Sequence, residues 1–277
     1  MELLDARNAT EDMSSEHDYQ DSNSDGPRPV TEADIELEAR RLLAAAWEVG
    51  IHARLLGGLA IAERVPAAVR AMFARRCGDI DLVITRRASA SLVALMQANG
   101  YVEDVEFNAM NGRTRLVFTD RVHARDVDVF VGGFEMCHVV PLQLDEAERH
   151  GSRTLLLSDL MLTKLQIVRL TDKDVIDAVM LMMSYEVTGD DDNAIDGARI
   201  AALCARDWGL WRTTSENLRR IQAALDALDA PAAQLADTSR RLTALTERLE
   251  AEAKSAKWRV RARVGDRLRW YEEPDEK

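Results

Sequence analysis

The chain has 277 residues, 47% of them apolar and 30% charged, with a formal net charge of −12; that is enough for two ordinary domains with a sizeable core. No apolar run approaches the roughly twenty residues of a membrane span, and the N-terminus lacks the basic-then-apolar order of a signal peptide, so a cytoplasmic protein with no membrane partner is expected. The acidic total speaks against a general nucleic-acid coat, though not against a local basic cleft, and Cys77, Cys137 and Cys204, far apart and without C-x-x-C spacing, are expected to be reduced thiols and not a zinc or redox set.

Residues 1–30 carry Glu2, Asp5, Glu11, Asp12, Glu16, Asp18, Asp21 and Asp25 against only Arg7 and Arg28, half of the formal charge, with no periodic apolar face. A disordered acidic tail, removable without loss of the fold, is expected there. Order begins at Thr31, a helix cap with Asp34 three residues on, after which Ile35, Leu42, Leu43, Ala46 and Trp47 follow a helical period as far as Gly50. Ile51 to Leu56 is β-compatible and runs into Gly57-Gly58, which opens a helix that lasts until Pro66. Glycines at such a junction let backbone N–H groups approach a ligand, and the helix N-terminus behind them favours an anion such as phosphate. Arg70, Arg75 and Arg76 follow, either phosphate contacts or the solvated face of a short helix.

Next comes Gly78-Asp79-Ile80-Asp81-Leu82-Val83-Ile84. Alternation along a strand puts Asp79 and Asp81 on one face and Ile80, Leu82 and Ile84 on the other, and two like charges in one space call for a neutralising partner, typically a hard divalent cation. A helix over Ser89 to Asn99 stops at Gly100; Tyr101 to Phe107 and Arg113 to Thr119, joined by Asn111-Gly112, read as a hairpin. Asp126-Val127-Asp128-Val129-Phe130-Val131 is a further strand with carboxylates two apart, and Cys137 to Leu142 a last short one. From Leu155 the chain reads as nearly all helix: Ser158 to Leu170 with Lys164 amid Leu162, Leu165 and Ile167, Asp172 to Tyr185, a solvated turn at Asp190-Asp191-Asp192-Asn193, then Asp196 to Arg206, Thr213 to Leu228 and Ala232 to Lys257. Leu235, Leu242, Leu245 and Leu249 in the last helix read as intramolecular packing. The basic end, with Lys254, Lys257, Arg259, Arg261, Arg263, Arg267 and Arg269 beside Trp258 and Trp270, is either a solvated face or a contact for nucleic acid or an acidic partner. The expected organisation is an α+β (α/β) protein: tail 1–30, a mixed-sheet core over 31–150 and a helical domain over 151–277.

A glycine pair opening a helix, D-x-D on the next strand and a carboxylate on a later strand resemble the nucleotidyltransferase fold of the polymerase-beta superfamily, here as Gly57-Gly58, Asp79-Ile80-Asp81 and Val127-Asp128-Val129. Leu162-Thr163-Lys164-Leu165 and Asp172-Lys173-Asp174-Val175-Ile176-Asp177 are similar to the K-L and K-D-x-x-D segments of stand-alone bacterial nucleotidyltransferases of the abortive-infection toxin (AbiEii-like) type. Two positions depart: Leu59 stands where the superfamily often has serine, and Asp126 competes with Asp128 for the third carboxylate. The resemblance implies two Mg2+ ions held by Asp79, Asp81 and Asp128, and a nucleoside triphosphate bound by Gly57, Gly58, Lys164 and Lys173. Asp79 and Asp81 would bridge both metals, and Asp128 would hold the metal on the nucleophile side and help take its proton. Asp174 and Asp177 either join the site or form an ion-pair cluster that supports it, and Lys164→Ala is expected to impair nucleotide handling at little cost in stability. The implied activity moves an NMP from an NTP to a hydroxyl of RNA or tRNA, a protein or a small molecule, with a toxin role and an antitoxin partner among the implications. The alternatives are an aminoglycoside-type transferase and a non-catalytic NTP-binding module.

Overall fold

The computed structural model describes residues 31–149, 151–189 and 193–273, so the tail 1–30 and the Asp190-Asp191-Asp192 part of the expected turn lie outside the described residues. Helix α1, Ile35–Glu48, buries Ala39, Leu42, Leu43 and Ala46 on one face. Its cap is Asp34, whose Oδ1 accepts from the N–H groups of Glu36 and Leu37 at 2.9 and 3.0 Å. Thr31 is not the cap: it is buried, with its hydroxyl 3.0 Å from His123 Nδ1. Strand β1, Arg54–Leu56, runs directly into α2, Gly57–Arg64, and Pro66 precedes α3, Ala67–Phe73. Then follow β2, Ile80–Ile84, and α4, Ser89–Ala98.

The hairpin expected over 101–119 is replaced by a different connection. Strand β3, Val102–Glu103, does pair antiparallel with a later strand, but α5, Val105–Asn111, lies between them, and Asn111-Gly112 ends that helix instead of making a two-residue turn. Asp104 caps α5 by accepting from Phe107 N–H at 3.0 Å. Asn108 ties it to β4, Arg115–Asp120, accepting from Val117 N–H at 2.7 Å and donating to the Val117 carbonyl at 3.2 Å. Those tertiary hydrogen bonds outweigh the local β-propensity of Val105 and Phe107.

Strand β5, Arg125–Val131, completes the main sheet. Its order is β1-β2-β5-β4-β3, with β2 and β5 parallel and the other pairs antiparallel, so the fold is α+β around a mixed five-stranded sheet. The face carrying Ile80, Leu82, Ile84, Val127, Val129 and Val131 is at most 3% exposed and shares one core with Leu42, Leu43, Leu92 and Met96. The region expected to hold one strand over Cys137 to Leu142 instead forms a separate ribbon of β6, Phe134–Glu135, and β7, Val139–Val140, followed by α6, Leu144–Arg149.

Helix α7, Leu157–Leu165, stops short of Leu170 because the Asn217 amide takes the carbonyls of Leu165 and Ile167 at 2.9 and 2.7 Å, meeting the acceptors at the helix end. Helix α8, Asp172–Ser184, leads to a parallel ribbon, β8, Val187–Thr188, with β9, Ile195–Asp196, which interrupts the all-helix pattern expected there. Helix α9, Gly197–Arg206, precedes α10, Trp208–Ala224, which begins earlier than Thr213 because Asp207 caps it. The single helix expected over 232–257 is two, α11, Ala232–Ala251, and α12, Ala256–Val264, the second capped by Ser255. Leu242, Leu245 and Leu249 are at most 1% exposed within the chain's own core. Among the described residues no helix is long and apolar enough to cross a membrane.

Candidate functional site

The pairing of β2 with β5 determines where the carboxylates stand. Asp81 is the direct partner of Asp128, and Asp79 and Asp126 flank the adjoining Ile80–Val127 pair, so the four acids occupy one face of two neighbouring strands as two rungs. Leu56, the last residue of β1, pairs with Asp81 from the other side, and the chain turns there into Gly57 at a φ of +66°. A Cβ on Gly57 would lie 2.0 Å from Asp81 Oδ2, so only glycine admits the carboxylate over the start of α2. Leu56, at the N-cap, makes no side-chain cap bond, and the first N–H groups of that helix lie at the same place.

These elements wall a cleft of about 460 Å³ lined by Gly58, Asp79, Asp81 and Asp126 from the sheet side and by Lys164, Thr171, Lys173 and Asp174 from α7 and α8. Arg75 and Arg76 close it from the segment before β2. The sequence expectation thus finds Gly58, Asp79, Asp81, Lys164 and Lys173 together. Gly57 lies beneath Asp81, and Asp128 stands one rung in, outside the cleft lining. The Asp128 carboxylate is buried and bound by Arg115, whose Nε and Nη2 are each 3.0 Å from Oδ1. Arg115 itself lies over the rings of Phe107 and Phe130, at 5.4 and 5.6 Å from their centroids.

No protein-family model matches this chain, and no curated protein matches it. The chemistry is therefore carried by the arrangement of this chain's own residues.

On the helical side Lys164 is 8% exposed and its Nζ is 3.0 Å from both Asp174 Oδ1 and Asp177 Oδ2. Asp177, fully buried, also receives Arg75, with Nε at 3.0 Å from Oδ1 and Nη2 at 3.2 Å from Oδ2. Asp174 completes a capping box with Thr171. Burial alone would lower the Lys164 pKa, but the carboxylates of Asp177 and Asp174 override it and hold the ammonium above its usual value. Burial would raise Asp174, and the Lys164 charge together with the Thr171 hydroxyl brings it below the usual carboxylate range. Asp174 and Asp177 therefore form the ion-pair cluster that holds Lys164, with Asp174 also on the cleft wall. A cost in stability on losing Lys164 is therefore expected, in contrast to the sequence expectation, because removing one member of a buried network strands the others.

Sequence reasoning missed Arg115, since nothing in its local pattern marks an arginine that crosses from β4 to a β5 carboxylate. Arg75 was named, but its partner Asp177 is distant in sequence and no local signal joins the two. For Asp174, the T-x-x-D spacing from Thr171 is a legible capping signal.

Four carboxylates and four cations line the cleft, which is therefore near charge balance when empty. A bound polyphosphate would need added positive charge. Among the described residues no three acidic, histidine or cysteine side chains stand close enough together to hold a metal ion by themselves. The donor chemistry nevertheless suits Mg2+, which is commonly held by one or two carboxylates with substrate phosphates and water completing its shell.

Proposed function

We propose that the protein is a magnesium-dependent nucleotidyltransferase of the polymerase-beta type, moving an NMP from an NTP to a hydroxyl acceptor. The observation that carries this reading is Asp81 packed against Gly57, with Asp79 lining the same cleft as Gly58, Lys164 and Lys173. The N-terminus of α2 and the Gly58 N–H favour a phosphate there, while Lys164 and Lys173 balance triphosphate charge from the opposite wall. Mg2+, held by Asp79 and Asp81 with the triphosphate, would supply charge neutralisation and lower the pKa of the attacking hydroxyl. The acceptor oxygen forms a bond to the α-phosphorus, the bond from that phosphorus to the bridging oxygen of the β-phosphate breaks, and pyrophosphate leaves with its electron pair. Either Asp126, on the cleft wall, or Asp128, the neighbour of Asp81 on the next strand that Arg115 keeps in place, takes the hydroxyl proton. An RNA, tRNA, protein or small-molecule acceptor, and a toxin role held in check by an antitoxin, belong to this reading as its biological settings.

A second reading, an NTP-binding module without turnover, is favoured by the hold of Arg115 on Asp128 and by the lack, among the described residues, of three acids grouped closely enough for a metal ion. Incubation with each labelled NTP, magnesium, and total RNA or cell extract separates the two. Label transferred by the wild-type protein and lost in Asp79→Asn supports the transferase; NTP binding with no transfer to any acceptor supports the module.

A further inference from the structure

A second cavity, of about 390 Å³, lies where the α9–α10 junction, α12 and the C-terminal segment meet the β6–β7 ribbon, and it shares no lining residue with the Asp79–Asp81 cleft. Its wall combines aromatic and cationic side chains: Trp208, Trp258 and Trp270 with Arg206, Lys257 and Arg261. Trp208 is buried, with Arg261 over its ring at 4.5 Å, whereas Trp258 and Trp270 are half-buried, each with one cation, Lys254 or Arg212, over its ring at 5.8 and 5.5 Å. The rings are fixed edge to face, Trp208 against Trp270 at 6.1 Å and Trp258 against Trp211 at 5.1 Å between centroids.

The fold is built around this cavity. A Cβ on Gly209 would lie 2.5 Å from the Trp270 carbonyl, so that glycine lets the C-terminal segment close against α10. The Trp270 indole N–H donates to Thr213 Oγ1 at 3.1 Å, Thr213 also meets His138 Nε2 at 2.8 Å, and the His138 N–H donates to Gln166 at 2.9 Å. Burial pulls the His138 pKa down to about 4, so it adds no charge at neutral pH. Of the two acids on the wall, Asp207 is engaged in capping α10, and Glu272 is exposed at the rim. Arg206 and Lys257 are exposed, and among the described residues neither has a carboxylate partner. A cavity with indole surface and unspent cations matches a planar ring that carries phosphate. Its volume falls in the range of small-ligand sites, about 300–1,000 Å³, which fits one unit and not a folded partner.

We propose that this cavity is a binding site for a nucleotide unit, with the base stacked on the indole rings and the phosphate on Arg206 and Lys257. The unit belongs either to a free nucleotide or to a single strand of nucleic acid, and stacking with cation contacts serves both. This inference does not rest on the transferase reading, because none of its residues line the other cleft.

Four of the five tryptophans of the chain, Trp208, Trp211, Trp258 and Trp270, are at or beside this cavity, so intrinsic fluorescence reports on it. The full chain is titrated with AMP and with hexa-adenylate in EDTA, which suppresses magnesium-dependent binding elsewhere. Saturable quenching is expected, weakened at least about 10-fold in R206E/K257E, whose exposed positions leave the melting temperature unchanged, and about 10-fold in Trp258→Ala. Tighter binding of the hexamer identifies a strand as the source, and equal affinity identifies a free nucleotide; either upholds the site. Absence of saturable quenching with both probes, or undiminished affinity in R206E/K257E, overturns it. So does hexaglutamate binding as tightly as AMP, which would mark an acidic-peptide site.

Discussion

Asp126 and Asp128 differ in what surrounds them. Asp126 is exposed on the cleft wall and receives the Thr119 hydroxyl at 3.3 Å, whereas Asp128 is buried, shares a rung with Asp81 and is gripped by Arg115. If Asp128 is the third carboxylate, Asp128→Asn lowers transfer by at least about 100-fold, the scale of losing one positioned electrostatic group, while Asp126→Asn costs less than about 10-fold on the same scale. The rates are compared on protein whose melt shows it folded, and the reverse pattern would move the role to Asp126. Lys164 calls for a different measurement. Replacing it by Met leaves Asp174 and Asp177 facing an apolar tip, and breaking a buried pair in this way costs about 3–5 kcal/mol, read by urea denaturation. Asp174 is held below its ordinary value, so its contribution is present above about pH 4 and disappears as the pH falls through the lowered folded pKa. Lys164 is held above its ordinary value, so its contribution is present below about pH 10 and disappears as the pH rises through the raised one. The stability gap between wild type and Lys164→Met should therefore be flat between about pH 5 and 10 and narrow outside that window. A gap that varies with pH inside the window would mean that other groups carry it.

Among the elements, the β1–α2 junction is the one whose backbone serves the site directly. Gly57→Ala introduces a side chain at positive φ and drives Asp81 away, so a loss of about 1–3 kcal/mol in stability is expected, with a proportionally larger loss of transfer because the displaced group is a D-x-D carboxylate. A variant that melts like wild type and transfers at its rate would remove the glycine from the site. The junction, the D-x-D strand and the apolar helix carrying Lys164 were legible in the sequence because each is marked by local signals: a glycine pair after aliphatic residues, period-two alternation, and one lysine among leucines. What local pattern could not supply was long-range pairing. The N-G dipeptide at Asn111-Gly112 indicated a hairpin, but the Asn108 side chain replaces strand hydrogen bonds on Val117 and makes the segment a helix. Likewise the Asp81–Asp128 rung follows from a parallel pairing of strands distant in sequence, and the Arg75–Asp177 bridge joins the two halves of the chain.

In the whole molecule the two halves meet at one cleft, and each contributes acids and cations to it. The sheet half supplies Asp79, Asp81 and Asp126 with Arg75 and Arg76, and the helical half supplies Lys164, Lys173 and Asp174 through α7 and α8, which pack on α2 and α3. The buried Arg75–Asp177–Lys164 bridge spans the two halves, so the packing of the helical half and the charge of the site are linked. The proposed transferase breaks an NTP between its α- and β-phosphates. Parallel reactions with NTP labelled at the α- or the γ-phosphate, with magnesium and an acceptor preparation, test it most directly. A nucleotidyltransferase puts α-label on the acceptor and γ-label in pyrophosphate, and gives neither product with Asp81→Asn; γ-label on the acceptor, or α-label transfer that survives Asp81→Asn, would exclude this reaction at the cleft.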